Sequence, residues 1–353
     1  MSRSLWDKRR EALRDLSSVR GGRRLISYVT STRPNWGLDM RFDVITRIHR
    51  QLEEVAAVSK AKLRLDLFIH SGGGDITVPW RLMTLMRDYS DDIDVLVPHW
   101  CYSAATLTAL GAERIVMHRM GTLGPIDPSL EPQYRRPEDG IEGQIQVEDV
   151  AGYVRWLKDQ NSEPVDVTGD IRLLPEAVHP LALGAVWRTS QQGQMLARKM
   201  LTLRKSKTTA KAEEVIKKLG TELFYHGHPI GRVEARQEIG LDFVEFANRD
   251  TERAMWRLYS LYAEEMQLHE AFNAVHEALA KGPLVAPKPI SPPGDTPPTT
   301  DTRTLDLMKD VFVESESLSL YHESQVEVTL ARDYMGRLLY AWELIADRWG
   351  EAV

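Results

Sequence analysis

The chain has 353 residues, 42% of them apolar and 27% charged, with a formal net charge of -6 and a single cysteine, Cys101. That charge does not suit a non-specific nucleic-acid binder, which needs a basic face, and one cysteine excludes an intrachain disulfide. No apolar run reaches the roughly 18 residues needed to cross a bilayer, and the opening stretch MSRSLWDKRREALRDL lacks the apolar core of a signal peptide, so a cytoplasmic chain without a transmembrane segment is expected.

Residues 5 to 16 read as a short amphipathic helix. The basic runs Lys8-Arg9-Arg10, Arg23-Arg24 and Arg204-Lys205 read as solvated faces. RLISYVT, ending at Thr30, reads as a strand, and Phe42, Ile45, Ile48 and Leu52 mark a helix. A strand over Leu63 to Ile69 runs directly into His70-Ser71-Gly72-Gly73-Gly74. A helix over Pro79 to Tyr89, a strand over Ile93 to Val97, a small-residue helix over Ser103 to Gly111 and a strand over Arg114 to Met117 follow. GTLGPIDP then forms a loop. Strands alternating with helices imply βα units and a largely parallel sheet, with ligands beyond the carboxyl ends of the strands.

Residues 147 to 219 are mostly helical in pattern, and Val186 to Leu203 is the best-formed helix. Tyr225 to Leu241 is a compact unit containing a helix over Val233 to Ile239. Residues 250 to 281 are again helical. Gly282 to Arg303, rich in proline and threonine, reads as a semi-extended linker. Residues 304 to 353 read as a helical tail. Its last part, 327 to 349, carries an apolar stripe through Val328, Met335, Leu338, Leu339, Trp342, Ile345 and Trp349. Three parts are thus expected: a main domain over 1–281 with helical additions, a linker over 282–303 and the tail.

Three elements carry chemistry. Glycines 72 to 74 follow a strand directly and allow backbone angles closed to other residues. Their N–H groups can form an anion cradle or an oxyanion hole, or the run is simply a flexible turn. No GK[ST] follows, so it is not a P-loop. Ser103 lies between a strand and a small-residue helix, at the positive end of the helix dipole, where it is either a nucleophile or a plain N-cap. Asp127, between two prolines, is a stiffly held carboxylate that could orient a base or a substrate amide. There is no GxGxxG and no ligand cluster at zinc spacing, so neither cofactor nor metal is expected.

The order of these blocks is strand, HSGGG, helix, strand, P-x-x-x-x-S-A, helix, strand, LGPIDP. Together they resemble the serine dehydrogenase proteinase family, related to the Clp protease and signal peptide peptidase A. His179-Pro180-Leu181-Ala182-Leu183-Gly184, His228-Pro229-Ile230, Glu234-Ala235 and Gly240-Leu241 extend the resemblance, which spans about Arg24 to Val244. It implies an α/β fold, a Clp/crotonase-type spiral of ββα units, here with a C-terminal helical extension. It also implies Ser103 as nucleophile, the N–H groups of Gly74 and Ala104 as oxyanion hole, and a homo-oligomer acting on peptide or protein substrates without a cofactor. The family's Ser-Ala-Gly-Thr is Ser103-Ala104-Ala105-Thr106 here, an added methyl at the helix start.

A serine hydroxyl needs a base. His226, His118, His179 and His70 are the histidine candidates. His226 is preferred because it opens the loop that supplies the third triad member in the Clp protease, and Asp127 is its expected orienting partner. His118 is the alternative base, and a lysine dyad as in signal peptide peptidase A is a third option. The expected function is an ATP-independent peptidase working through an acyl-enzyme. Two alternatives remain: a non-catalytic oligomeric scaffold or peptide binder, and acyl-CoA chemistry at the same oxyanion hole without a serine nucleophile.

Overall fold

The computed structural model describes residues 4–57, 63–126, 129–130, 145–146, 152, 180–205, 211–223, 225–282, 300–333 and 335–352. Helix α1 (Leu5–Val19) opens on a capping box, with Ser4 and Asp7 each accepting the other's backbone N–H, which satisfies two otherwise orphaned donors. Strand β1 (Arg24–Thr30) follows, then the short β2 (Thr32–Arg33) and β3 (Trp36–Gly37), helix α2 (Val44–Ala57), β4 (Arg64–His70), α3 (Val78–Tyr89), β5 (Asp92–Val97), β6 (Trp100–Cys101), α4 (Ala104–Leu110), β7 (Arg114–Met117) and β8 (Thr122–Leu123). Beyond these come β9 (Ser129–Leu130), β10 (Ile145–Gln146), α5 (Pro180–Leu203), α6 (Ala212–Lys217), β11 (Ile230–Gly231), α7 (Arg232–Gln237), β12 (Val244–Phe246), α8 (Arg249–Glu265) and α9 (Ala274–Ala280). The chain finishes on β13 (Asp301–Thr304), β14 (Met308–Glu314), β15 (Ser319–Arg332) and β16 (Leu338–Ala352).

The main sheet runs β12-β7-β5-β4-β1-β14-β15-β13, with β16 added on β15. β12, β7, β5, β4 and β1 are parallel, and β14 joins β1 antiparallel. The parallel strands are buried on both faces, which is why they read as near-continuous apolar runs. Ile26, Tyr28, Leu67 and Val95 face a core shared with α2, α3, α4 and α5. Leu25, Val29, Phe68 and Leu96 face a second core under α1 and α8. Each such side chain contributes about 1.5–3 kcal/mol by leaving water.

The tail departs from its expected helix. Residues 319–332 and 338–352 are two long antiparallel strands, so the C-terminal extension is β, not helical. Val326, Val328 and Leu330 alternate inward against Phe272, Ala274 and Leu305, a period of two that overrides the helical spacing of the apolar residues further on. β14 pairs with β1 inside the main sheet, and buried Glu314 accepts from Arg9 Nε at 3.0 Å and from Tyr262 Oη at 2.6 Å. Of the expected linker, residues 283–299 lie outside the described residues, and Asp301–Thr304 pairs with β15. The helical stretch at 250–281 divides into α8 and α9 after Gln267 takes a φ of 53°.

The basic runs are not wholly solvated either. Arg9, Arg23 and Arg204 are buried. Arg23 Nη1 binds Asp92 at 2.8 Å, while Nη2 donates to the carbonyls of Leu65 (2.7 Å) and Asp92 (3.0 Å). Its Nε meets Asp66. Arg20 joins Asp66 at 2.8 Å and Asp94 at 2.6 Å. This lattice ties the leading ends of β4 and β5, leaving their trailing ends for the site.

Candidate active site

β4 delivers the triglycine bend to the end of β6. Ser71 pairs with Cys101 across an isolated parallel bridge: Ser71 N–H donates to the Trp100 carbonyl at 3.0 Å, and Tyr102 N–H donates to the Ser71 carbonyl at 3.1 Å. Ser71 Oγ accepts from Thr30 Oγ1 (2.8 Å) and from Gly73 N–H (3.1 Å), fixing the bend. On its far side Met40 N–H donates to the Gly73 carbonyl at 2.7 Å.

Two of these glycines are required by contact as well as by angle. Gly73 and Gly74 have φ of 113° and 137°, a region closed to most side chains. A Cβ at Gly74 would lie 2.4 Å from Met40 N, and one at Gly73 would lie 2.8 Å from Ser103 Cβ and 3.3 Å from Ser103 Oγ. The Ser103 side chain is therefore seated directly against the bend.

Ser103 itself has φ 51° and ψ -114°, a strained conformation for a residue with a Cβ. It occupies the N-cap position of α4, yet its side chain makes no capping bond, so the plain N-cap explanation does not hold. Thr106 Oγ1 stabilises the turn: it donates to the Cys101 carbonyl (2.6 Å) and accepts from Gly124 N–H (3.0 Å). This clasp was not singled out from sequence, although the S-A-x-T spacing contained it. Ala105 is fully buried in the core, so the added methyl is absorbed by packing. The Tyr102 ring stacks on Trp100, centroids 5.3 Å apart, and covers Gly124, where a Cβ would lie 3.0 Å from Tyr102 Cγ.

The histidines separate. His70 is buried and burial, with His99 and His269 nearby, pushes its pKa down to about 3. Its Nδ1 accepts Trp100 N–H at 3.2 Å and its Nε2 lies 3.0 Å from Thr32 Oγ1. The neutral ring thus carries its proton on Nε2 and has no lone pair to spare for Ser103. His118 is also buried, which lowers its pKa. Its Nδ1 accepts Met120 N–H at 3.0 Å and its ring stacks on Trp256 of α8. Those contacts hold it to the helix rather than to the nucleophile block. His226 lies half-buried in the loop before β11. His179 and Asp127 lie outside the described residues. Among the described residues, no side chain hydrogen-bonds Ser103 Oγ in this resting geometry.

A further pair sits in the same loop. His228 Nε2 lies 2.7 Å from Glu234 Oε1, a carboxylate-oriented imidazole whose Nδ1 is left for another partner. β6, β8 and β11 form one small sheet: Cys101 pairs with Leu123, and Leu123 with Ile230. Sequence reading noted His228-Pro229-Ile230 and Glu234 as blocks but could not join them, since only the turn into α7 brings the two side chains together.

Residues 1–140 match the family model of the ClpP-like SDH-type serine proteinases. The resemblance read from the motifs is thereby borne out over those residues, and the described residues form a mixed α/β fold. Two uncharacterized proteins of Methanocaldococcus jannaschii are similar to it. One is 33% identical over 116 residues, covering 27% of this chain and 40% of that protein. The other is 24% identical over 212 residues, covering 57% of this chain and 58% of that protein. The chain thus spans only part of the length of the relatives it matches. Among solved structures, a ClpP1 mutant from Listeria monocytogenes superposes with a TM-score of 0.37 at 12% identity, over 67% of this chain and 99% of that one. Among the described residues, no helix is long and apolar enough to cross a membrane.

Proposed function

We propose that the chain is a cytoplasmic, ATP-independent serine peptidase that cleaves peptide bonds through an acyl-enzyme on Ser103. The observation that carries this reading is the uncapped, strained Ser103 side chain seated against the Gly73 bend. Ser103 Oγ attacks the substrate carbonyl carbon and gives its proton to a base. The carbonyl oxygen becomes an oxyanion between the N–H groups of Gly74 and Ala104, and one such donor is worth about 3–4 kcal/mol in the transition state. The C–N bond then breaks as the base returns the proton to the leaving amine, and water releases the acyl group by the same route in reverse.

The base belongs to the 225–229 loop. His226, with Asp127 to orient it, is the assignment made from sequence. His228, already held by Glu234, is the second candidate in that loop. The hydrogen bond to Ser103 is expected to form when substrate binds, since resting sites are often loose. His118 is a weaker alternative because Trp256 and Met120 engage it. The reading includes self-association into a homo-oligomer acting on peptides or unfolded protein chains.

The test is hydrolysis of a quenched fluorescent peptide library by the full chain. Activity that Ser103→Ala abolishes, and that His226→Ala or His228→Ala lowers by about 10²–10⁴-fold, supports the reading. Activity that survives Ser103→Ala would falsify it. A second reading, a non-catalytic peptide-binding scaffold, draws on the lack of any described hydrogen bond to Ser103 Oγ. It predicts peptide binding with no turnover.

A further inference from the structure

β16 is the outer strand of the main sheet, and among the described residues it pairs only with β15. A long strand at an edge presents a row of unpaired backbone groups, which proteins ordinarily protect. This one is also apolar on its surface: Leu339, Tyr340, Trp342, Leu344 and Ile345 are each 45–59% exposed. We infer that β16 is the surface through which two copies of this chain associate, strand against antiparallel strand, about a two-fold axis between Ile345 and Ala346. The inference rests on the self-association in the proposed function and names its interface.

The choice of a second copy follows from charge. A two-fold edge pairing sets residue i opposite residue j with i + j constant. Axes centred on Glu343 or Asp347 would place identical carboxylates face to face, and like charges directly opposite are destabilising; an axis at Ile345 would oppose Glu343 with Asp347, which lie on opposite faces of β16. The axis between Ile345 and Ala346 instead places Glu343 opposite Arg348 of the second copy, and Arg348 opposite its Glu343. The same register sets Trp342 against Trp349 at both ends.

The side chains are on matching faces only because the strand is irregular. In a regular strand, 343 and 348 would point to opposite faces. Gln325 pairs with Ala346 and Val326 with Leu344, so Ile345 is an extra residue in β16. This bulge shifts the alternation and brings Glu343 and Arg348 to one face, and Trp342 and Trp349 to the other. A bulge also discourages indefinite edge stacking, which fits closure at two copies. Arg348 already meets Glu323 of its own chain at 2.9 Å; at 63% exposure its side chain can serve both carboxylates.

Sedimentation velocity of the full chain across a concentration series tests this, with circular dichroism to confirm unchanged sheet content. Glu343→Arg puts like charges opposite twice and is expected to raise the dissociation constant of the β16 contact roughly tenfold. The double reversal Glu343→Arg with Arg348→Glu restores the cross-pairing and is expected to recover affinity relative to Glu343→Arg alone, even though it removes the part-buried pair between Arg348 and Glu323. A chain that is monomeric at every concentration overturns the homo-oligomer reading. Assemblies whose mass ignores both the single and the double reversal overturn the β16 interface while leaving self-association intact.

Discussion

Single residues set the geometry on which the chemistry depends. Gly73→Ala would place a methyl 2.8 Å from Ser103 Cβ at a φ of 113°. The serine must shift, and a misplacement of about 1 Å at a reacting atom can cost 10²-fold. Gly73→Ala is therefore expected to lower Ser103-dependent turnover about 10²-fold while the thermal transition moves only moderately, measured by steady-state rates beside a melting curve. The buried histidines make a second statement at this scale. Burial holds His70, His99 and His118 below the usual imidazole pKa in the folded chain. Unfolded, they bind protons near pH 6.5, so between that value and about 3 for His70 the unfolded state carries more protons. Their stabilisation is fully present above pH 6.5 and lost as the pH falls. Urea unfolding at a series of pH values should show stability falling below pH 6.5, with a shallower slope in His70→Asn. His322 acts oppositely: burial disfavours its charge, but Asp310 and Asp347 outweigh that and raise its pKa, so its contribution is lost as the pH rises through that raised value.

Elements succeed or fail by the company they keep. The parallel strands were legible because LDLFI and DVLV are apolar on both faces and the turns after them carry glycine or proline. The tail was not, because LLYAWELIADRW contains good helix formers at spacings that suit either period. What decides it is pairing: β15 supplies a partner for fourteen residues, and its own Val326, Val328 and Leu330 alternate as a strand should. The buried arginines were illegible for a related reason. Arg23 sits in a basic run, and only the meeting of β1, β4 and β5 supplies Asp66, Asp92 and the carbonyls that justify its burial. Arg23→Ala leaves Asp66 with Arg20 alone and takes the guanidinium donor from the Leu65 and Asp92 carbonyls, and is expected to cost about 1–3 kcal/mol by chemical denaturation. Thr106→Val removes the clasp between β6 and β8 and is expected to cost about 1–3 kcal/mol, with a larger loss of turnover than that stability change explains.

At the scale of the molecule, one sheet carries two separable devices. Its parallel half carries β4 to the Ser103 bend, where the separate β6-β8-β11 sheet meets it, and its antiparallel half ends on the exposed β16. The nucleophile block and the bend were readable in order along the chain, since each follows its strand directly. The contact of the 225–229 loop with β8 was not readable from local pattern, because the loop arrives from more than a hundred residues away, by way of β11. Disrupting β16 by Glu343→Arg should leave the Ser103 bend intact, so any loss of turnover in that variant reports a need for assembly rather than damage to the site.

The central claim is that Ser103 is an activated nucleophile. Its most direct measurement is intact-mass and peptide-mapping analysis after exposure of the native chain to a fluorophosphonate. One adduct per chain, mapped to Ser103, absent from Ser103→Ala and suppressed in Gly73→Ala, is the result predicted. A native chain that remains unmodified, or an adduct on any residue other than Ser103, would contradict it.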